Sequence, residues 1–128
     1  MAVSTYNKTV VFNGTKKLAL LYTPLTIDEQ TPITIDASAY NATSFTIDEI
    51  NYNCAGMGFT ISEDAGTDVV VFAVSAVGGA VSGKLCFKEY GGIPNSKATD
   101  YTGDLIITPV SMASGDVFFL YIELTKNY

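Results

Sequence analysis

Histidine, arginine and tryptophan are missing from this 128-residue chain. Without histidine, the side chain most used for proton transfer near neutral pH is gone. Without arginine, so is the forked cation that grips phosphates and carboxylates in two places. All seven basic residues are lysine, against thirteen acids, and the net charge is −6. That balance argues against nucleic acid as a partner, because phosphate binding rests on Lys and Arg. It argues equally against anionic membrane surfaces. The longest strongly apolar stretch, Val69–Val74, is far too short to span a bilayer. Residues 1–5 show no basic segment leading into an apolar run, so no signal peptide is expected. There are only two cysteines, Cys54 and Cys86. One disulfide is arithmetically possible, but without an export signal two reduced thiols are expected. Two cysteines with no histidine make a poor zinc site.

What the chain does have is a period of two. Nearly half of it is hydrophobic (48%), and the apolar residues mostly alternate, as they do in half-buried strands. Strands are expected at 9–12 and 16–22, joined at Asn13-Gly14, a pair that favours a tight hairpin turn with positive φ. A short strand follows around Ile33 and Ile35, then a helical turn within 36–42. Phe45 and Ile47 alternate, as do Ile50, Tyr52 and Cys54, but the phase slips by one between the two sets. A bulge near Asp48-Glu49 would return both to one face. Met57, Phe59 and Ile61 mark the next strand, and 62–68 a turn. Val69–Val74 is apolar on both faces, so it reads as a central strand covered on both sides. Residues 78–83 read as a glycine-rich loop and 84–88 as a strand. Residues 90–103 form a long loop, of the kind that is usually functional or mobile. The last strands are expected at 104–110 and 117–125. In the final one, Phe118, Leu120, Ile122 and Leu124 share a face opposite Val117, Phe119 and Tyr121. The second face would meet another subunit or be covered within the monomer. About nine short strands with regular turn signals predict an all-β fold, an antiparallel β-sandwich or a jelly roll. A short N-terminal arm, 1–8, would precede one domain, 9–128.

The candidates for chemistry are few. Asp28-Glu29, Asp48-Glu49, Glu63-Asp64 with Asp68, and Asp100 with Asp104 are acidic pairs in turns. Paired carboxylates serve glycoside hydrolysis and can hold calcium. Their spacing matches no calcium loop, and Asp favours turns by bonding its own backbone. The Gly78-Gly79 loop leads to no helix, which a phosphate cradle needs. Serine and threonine lack a histidine base. Three glycosylation sequons begin at Asn7, Asn13 and Asn41, and matter only in a secreted eukaryotic protein. No catalytic residue, metal site or cofactor is therefore assigned. The best interface candidates are Tyr6 in the arm, Tyr40, and Tyr90, Ile93, Pro94 and Tyr101 in the long loop. Tyrosine combines apolar area with a polar end and is enriched at interfaces. Such tyrosines also suit stacking on sugar rings.

Several pieces carry a family likeness: Val10-Val11-Phe12-Asn13-Gly14-Thr15-Lys16, Ile50-Asn51-Tyr52, and Thr67-Asp68 ahead of an apolar strand. Gly91-Gly92-Ile93-Pro94-Asn95 follows, then Tyr101-Thr102-Gly103-Asp104-Leu105-Ile106-Ile107-Thr108 and Gly115-Asp116 before a closing strand that ends Leu124-Thr125-Lys126. The chain resembles the small virion proteins of tailed bacteriophages that act as capsid decoration or cement proteins. The resemblance spans most of the chain and rests on glycine turns and strand rhythm. It implies a non-enzymatic role, with the major capsid protein as partner, at the capsid surface, after assembly in the bacterial cytoplasm. A homo-oligomer, with a trimer favoured, is expected. The residues leave open another virion component (tail, neck or fibre) and a carbohydrate- or host-surface-binding module.

Overall fold

The structure is a computed structural model that describes residues 6–24, 32–75, 79–87, 92, 99–110 and 117–127. These form nine strands: β1 (Tyr6–Asn13), β2 (Lys17–Pro24), β3 (Ile33–Ile35), β4 (Ser44–Ala55), β5 (Gly58–Glu63), β6 (Val69–Val74), β7 (Ala80–Cys86), β8 (Leu105–Val110) and β9 (Val117–Asn127). The helical turn expected after β3 is one 3-10 turn, Ser38–Tyr40. The strands make two antiparallel sheets, ordered β1-β2-β9-β4-β7 and β3-β8-β5-β6. The molecule is an all-β sandwich. From β2 onward the pairing is nested: β2 with β9, β3 with β8, β4 with β7 and β5 with β6.

Alternation supplies the core. Leu18, Leu20 and Tyr22 of β2 stand beside Leu124, Ile122 and Leu120 of β9 in register, and all six are buried. Phe59 and Ile61 of β5 and Leu105 and Ile107 of β8 are buried from the other sheet. Phe59 meets Phe118 at 5.4 Å between ring centroids and Phe72 at 6.1 Å, inside the range where aromatic pairs attract. The bulge lies where the phase slip put it. Ile47 pairs with Leu124 and Glu49 with Glu123, so Asp48 is the extra residue. Ile47 and Ile50 are therefore both buried.

Other expectations are corrected. β6 is not central but an edge strand of the smaller sheet, and Val70 is 57% exposed. Its uniform apolar character does not mark two-sided cover. β7 already begins at Ala80, so Gly83 is a strand residue opposite Tyr52, not part of a loop. The β1–β2 turn is wider than a two-residue turn, because Asn13 pairs with Leu18. Neither Asn13 nor Gly14 has positive φ. Lys126 holds this turn instead: its backbone N–H donates to Lys16 O at 2.7 Å. β1 starts at Tyr6, inside the segment expected to be an arm. β9 is central in the larger sheet, while Phe119 and Tyr121 on its outer face keep partial exposure.

The two cysteines are free, Cys54 buried and Cys86 exposed. Cys54 pairs with Val81 while Cys86 pairs with Glu49, five positions away along β4. That is roughly 16 Å of strand, well beyond the ~7 Å limit for a disulfide. Burial pushes the Cys54 thiol up to about 11.

Candidate functional site

Of the six interface candidates, Tyr6, Tyr40 and Tyr101 lie within the described residues. Tyr90, Ile93 and Pro94 lie outside the described residues. Tyr6 is placed by its backbone at the start of β1. Tyr40, expected in an exposed loop, belongs to the core at 8% exposure. The 3-10 turn carries it inward, and its hydroxyl accepts a hydrogen bond from Lys8 Nζ at 3.0 Å. Tyr101 is half-buried, and among the described residues its hydroxyl has no well-formed hydrogen-bond partner.

Tyr101 sits where two acidic segments converge. Thr102 N–H donates to Asp64 O at 2.9 Å, and Asp64 N–H donates to Asp104 O at 3.1 Å. The Thr102 hydroxyl donates to Asp64 Oδ2 at 2.9 Å. Burial pushes the Tyr101 phenol up to about 12. The Glu63 and Asp104 charges add to this, while the Phe45 backbone acts in the opposite sense. A shallow cleft of about 480 Å³ beside these strands is lined by Gly66, Thr67, Thr99 and Asp100.

The carboxylates here serve turns. Asp104 Oδ1 accepts from Ala37 N–H at 2.8 Å and Asp68 Oδ1 from Ala65 N–H at 3.1 Å. Asp36 accepts from the hydroxyl and the N–H of Ser38, which holds its carboxyl below the usual range. Among the described residues, no three His, Cys, Asp or Glu side chains come together to hold a metal ion. Asp28 and Glu29 lie outside the described residues.

The bulge residue Asp48 is buried. Its Oδ2 accepts from Lys17 Nζ at 2.8 Å and from the Thr125 hydroxyl at 2.6 Å, and Lys17 also donates to Thr125 Oγ1 at 2.7 Å. The three residues tie β2, β9 and β4 together on the sheet's outer side. Phe87 N–H donates to Asp48 O at 2.7 Å.

Among the described residues, the longest run of exposed apolar side chains is the end of β1, where Val10, Val11 and Phe12 are 45%, 52% and 57% exposed. A register shift between Val10 and Phe12 makes Val11 an extra residue, so three successive apolar side chains face outward or sideways. Phe12 lies beside Ala19 and, with Val11 and Tyr121, walls a groove of about 330 Å³. Lys17 and Glu123 supply its charged lining. β1 is also an edge strand, with no second neighbour among the described residues.

Among the described residues, no helix is long and apolar enough to cross a membrane. No family model, curated protein or solved structure matches the chain.

Proposed function

We propose that this chain is a non-enzymatic structural component of a tailed-phage particle: a capsid decoration protein that bridges and stabilises major capsid subunits and self-associates as a trimer. The observation that carries the reading is the nested pairing of β2 through β9. We read eight strands paired this way as a jelly roll, an architecture used by viral capsid domains. A fold hosts many functions, so the reading also rests on the resemblance in glycine turns and strand rhythm. The exposed end of β1 supports it further. An unpaired edge with adjacent apolar side chains is a ready template for strand addition by a shell subunit.

Lectin domains use the same architecture. Their case here rested on loop tyrosines, and Tyr40 is a core residue rather than a sugar platform.

A decoration protein binds only the assembled shell and therefore stabilises it by mass action. The test adds the purified protein to capsids that lack it. Co-sedimentation at a fixed stoichiometry, with a rise in the temperature of capsid disruption, is the expected result. Failure to bind capsids, together with binding to isolated tails or necks, would move the protein elsewhere in the particle. Light scattering gives the mass in solution, and a strict monomer at high concentration would remove the trimer.

A further inference from the structure

Lys126 stands at the far end of the inward stripe of β9, two residues beyond Leu124, and is only 6% exposed. A buried ammonium is costly unless it is paired and fully hydrogen-bonded. Here Nζ donates to Asn13 Oδ1 at 2.5 Å and to Gly14 O at 2.7 Å. Both acceptors are neutral. The ion pairs that join Lys17 to Asp48 and Lys84 to Glu49 do not involve Lys126. An ammonium has three N–H donors, and among the described residues two of them are bonded.

Lys126 also forms part of the wall of an open pocket of about 410 Å³. The other lining residues are Asn13, Gly14, Thr15 and Asn41, and none is acidic. Asn13 is oriented by the lysine: because its Oδ1 accepts from Nζ, its Nδ2 is left as a donor. Asn41 joins the lining from the end of the 3-10 turn, in the left-handed conformation at φ 59°. The pocket thus joins a nearly buried cation to amide donors, in a chain of net charge −6.

We propose that this pocket is a binding site for one compact oxyanion group. The group is either a carboxylate presented by a neighbouring protein or a free anion in solution. The anion would complete the coordination of Lys126 and take hydrogen bonds from the Asn13 and Asn41 amides. The site does not depend on the virion reading, since it follows from the geometry around Lys126.

The test is a titration followed by amide and lysine Cε–Nζ NMR. Sodium acetate and inorganic phosphate are added in separate series, with ionic strength held constant by sodium chloride. The expected result is a saturable shift confined to Lys126, Gly14, Thr15 and Asn41. Saturation by acetate alone identifies a carboxylate, the group that Asp or Glu of a partner supplies, and saturation by phosphate alone identifies a tetrahedral free anion. Lys126→Met should abolish the response. Asn41→Gly, which keeps the backbone free to hold positive φ, should raise the midpoint at least threefold while the amide spectrum stays dispersed. A response that grows linearly, that chloride reproduces, or that persists unchanged in Asn41→Gly would overturn the proposal.

Discussion

Gly103 is the residue whose replacement should disturb this sandwich most for the fewest atoms added. Its φ is +94°, a conformation that side chains rarely adopt. A Cβ there would collide with Thr43 O, with the Thr43 carbonyl carbon only 2.9 Å away. The obstruction is backbone at the entry to β4, so no side chain can rotate aside. Backbone strain in the left-handed region costs about 1–3 kcal/mol. Forcing one extra carbon into a packed contact costs about 1–3 kcal/mol more. Gly103→Ala should therefore lose about 2–6 kcal/mol, a large part of the stability of a domain this size. Urea unfolding followed by circular dichroism measures it, and the midpoint should fall while the slope stays unchanged. Gly79→Ala is the control: a Cβ there meets nothing within 4 Å, and its effect should stay within about 0.5 kcal/mol. The displaced segment would also release the Tyr101 hydroxyl, so its titration should return toward the ordinary tyrosine range near 10. A loss below about 1 kcal/mol for Gly103→Ala would refute the close approach of this turn to β4.

Lys17→Met strands the Asp48 carboxylate, which is 6% exposed, whereas Asp48→Asn leaves a lysine that is already 53% exposed. The lysine variant should lose about 1–3 kcal/mol, and the double variant Lys17→Met/Asp48→Asn should regain much of that in the same urea assay. Tyr101 keeps its proton to about pH 12 in the folded chain but only to about 10 when unfolded. The unfolded state thus binds fewer protons in that window, and stability falls as pH rises through it. Tyr101→Phe should flatten part of this alkaline loss in unfolding measured from pH 9 to 12. Cys86 should alkylate with iodoacetamide at pH 8 while Cys54, fully buried with its thiol raised to about 11, stays unmodified until the chain unfolds; mass spectrometry of the digest reads both. Replacing Val11 and Phe12 together with serine should leave the unfolding midpoint near that of the parent, because both side chains are over half exposed. Binding to undecorated capsids, measured by co-sedimentation, should drop at least tenfold.

Period-two alternation made the strands legible, and the phase slip between Ile47 and Ile50 located the Asp48 bulge, because a one-residue shift would otherwise turn every side chain to the wrong face. Sheet position was not legible. Val69–Val74 has the composition of a buried central strand, yet only the winding of the chain decides that it has no second neighbour among the described residues. The direction of Tyr40 was not legible for a related reason: a helical turn is expected at 36–42, but only the packing decides that this residue points inward. Lys126 continues the inward phase of Phe118, Leu120, Ile122 and Leu124, so its burial was written in the alternation. A charged residue at a core-phase position was the available signal for the pocket. The partners Asn13 and Gly14, more than a hundred positions away, were not.

The four sheet edges are guarded unequally. β3 is only three residues long, which leaves little to pair with. β7 carries Gly83 and the exposed Lys84. β6 has no charge or proline, but a register shift between Ile61 and Ser62 breaks its ladder with β5, and bulges of this kind twist an edge away from flat pairing. β1 also has a bulge, yet there the break exposes apolar side chains instead of hiding them, and the charged Lys8 of that strand is turned to Tyr40. Among the described residues the other edges are short, charged or bent, so the apolar end of β1 is the edge on which the proposed contact with another chain would rest. The Lys126 pocket is built on the turn that closes this same strand. A partner strand laid along β1 would thus run toward the oxyanion cradle, and an acidic residue beyond its paired segment would meet Lys126.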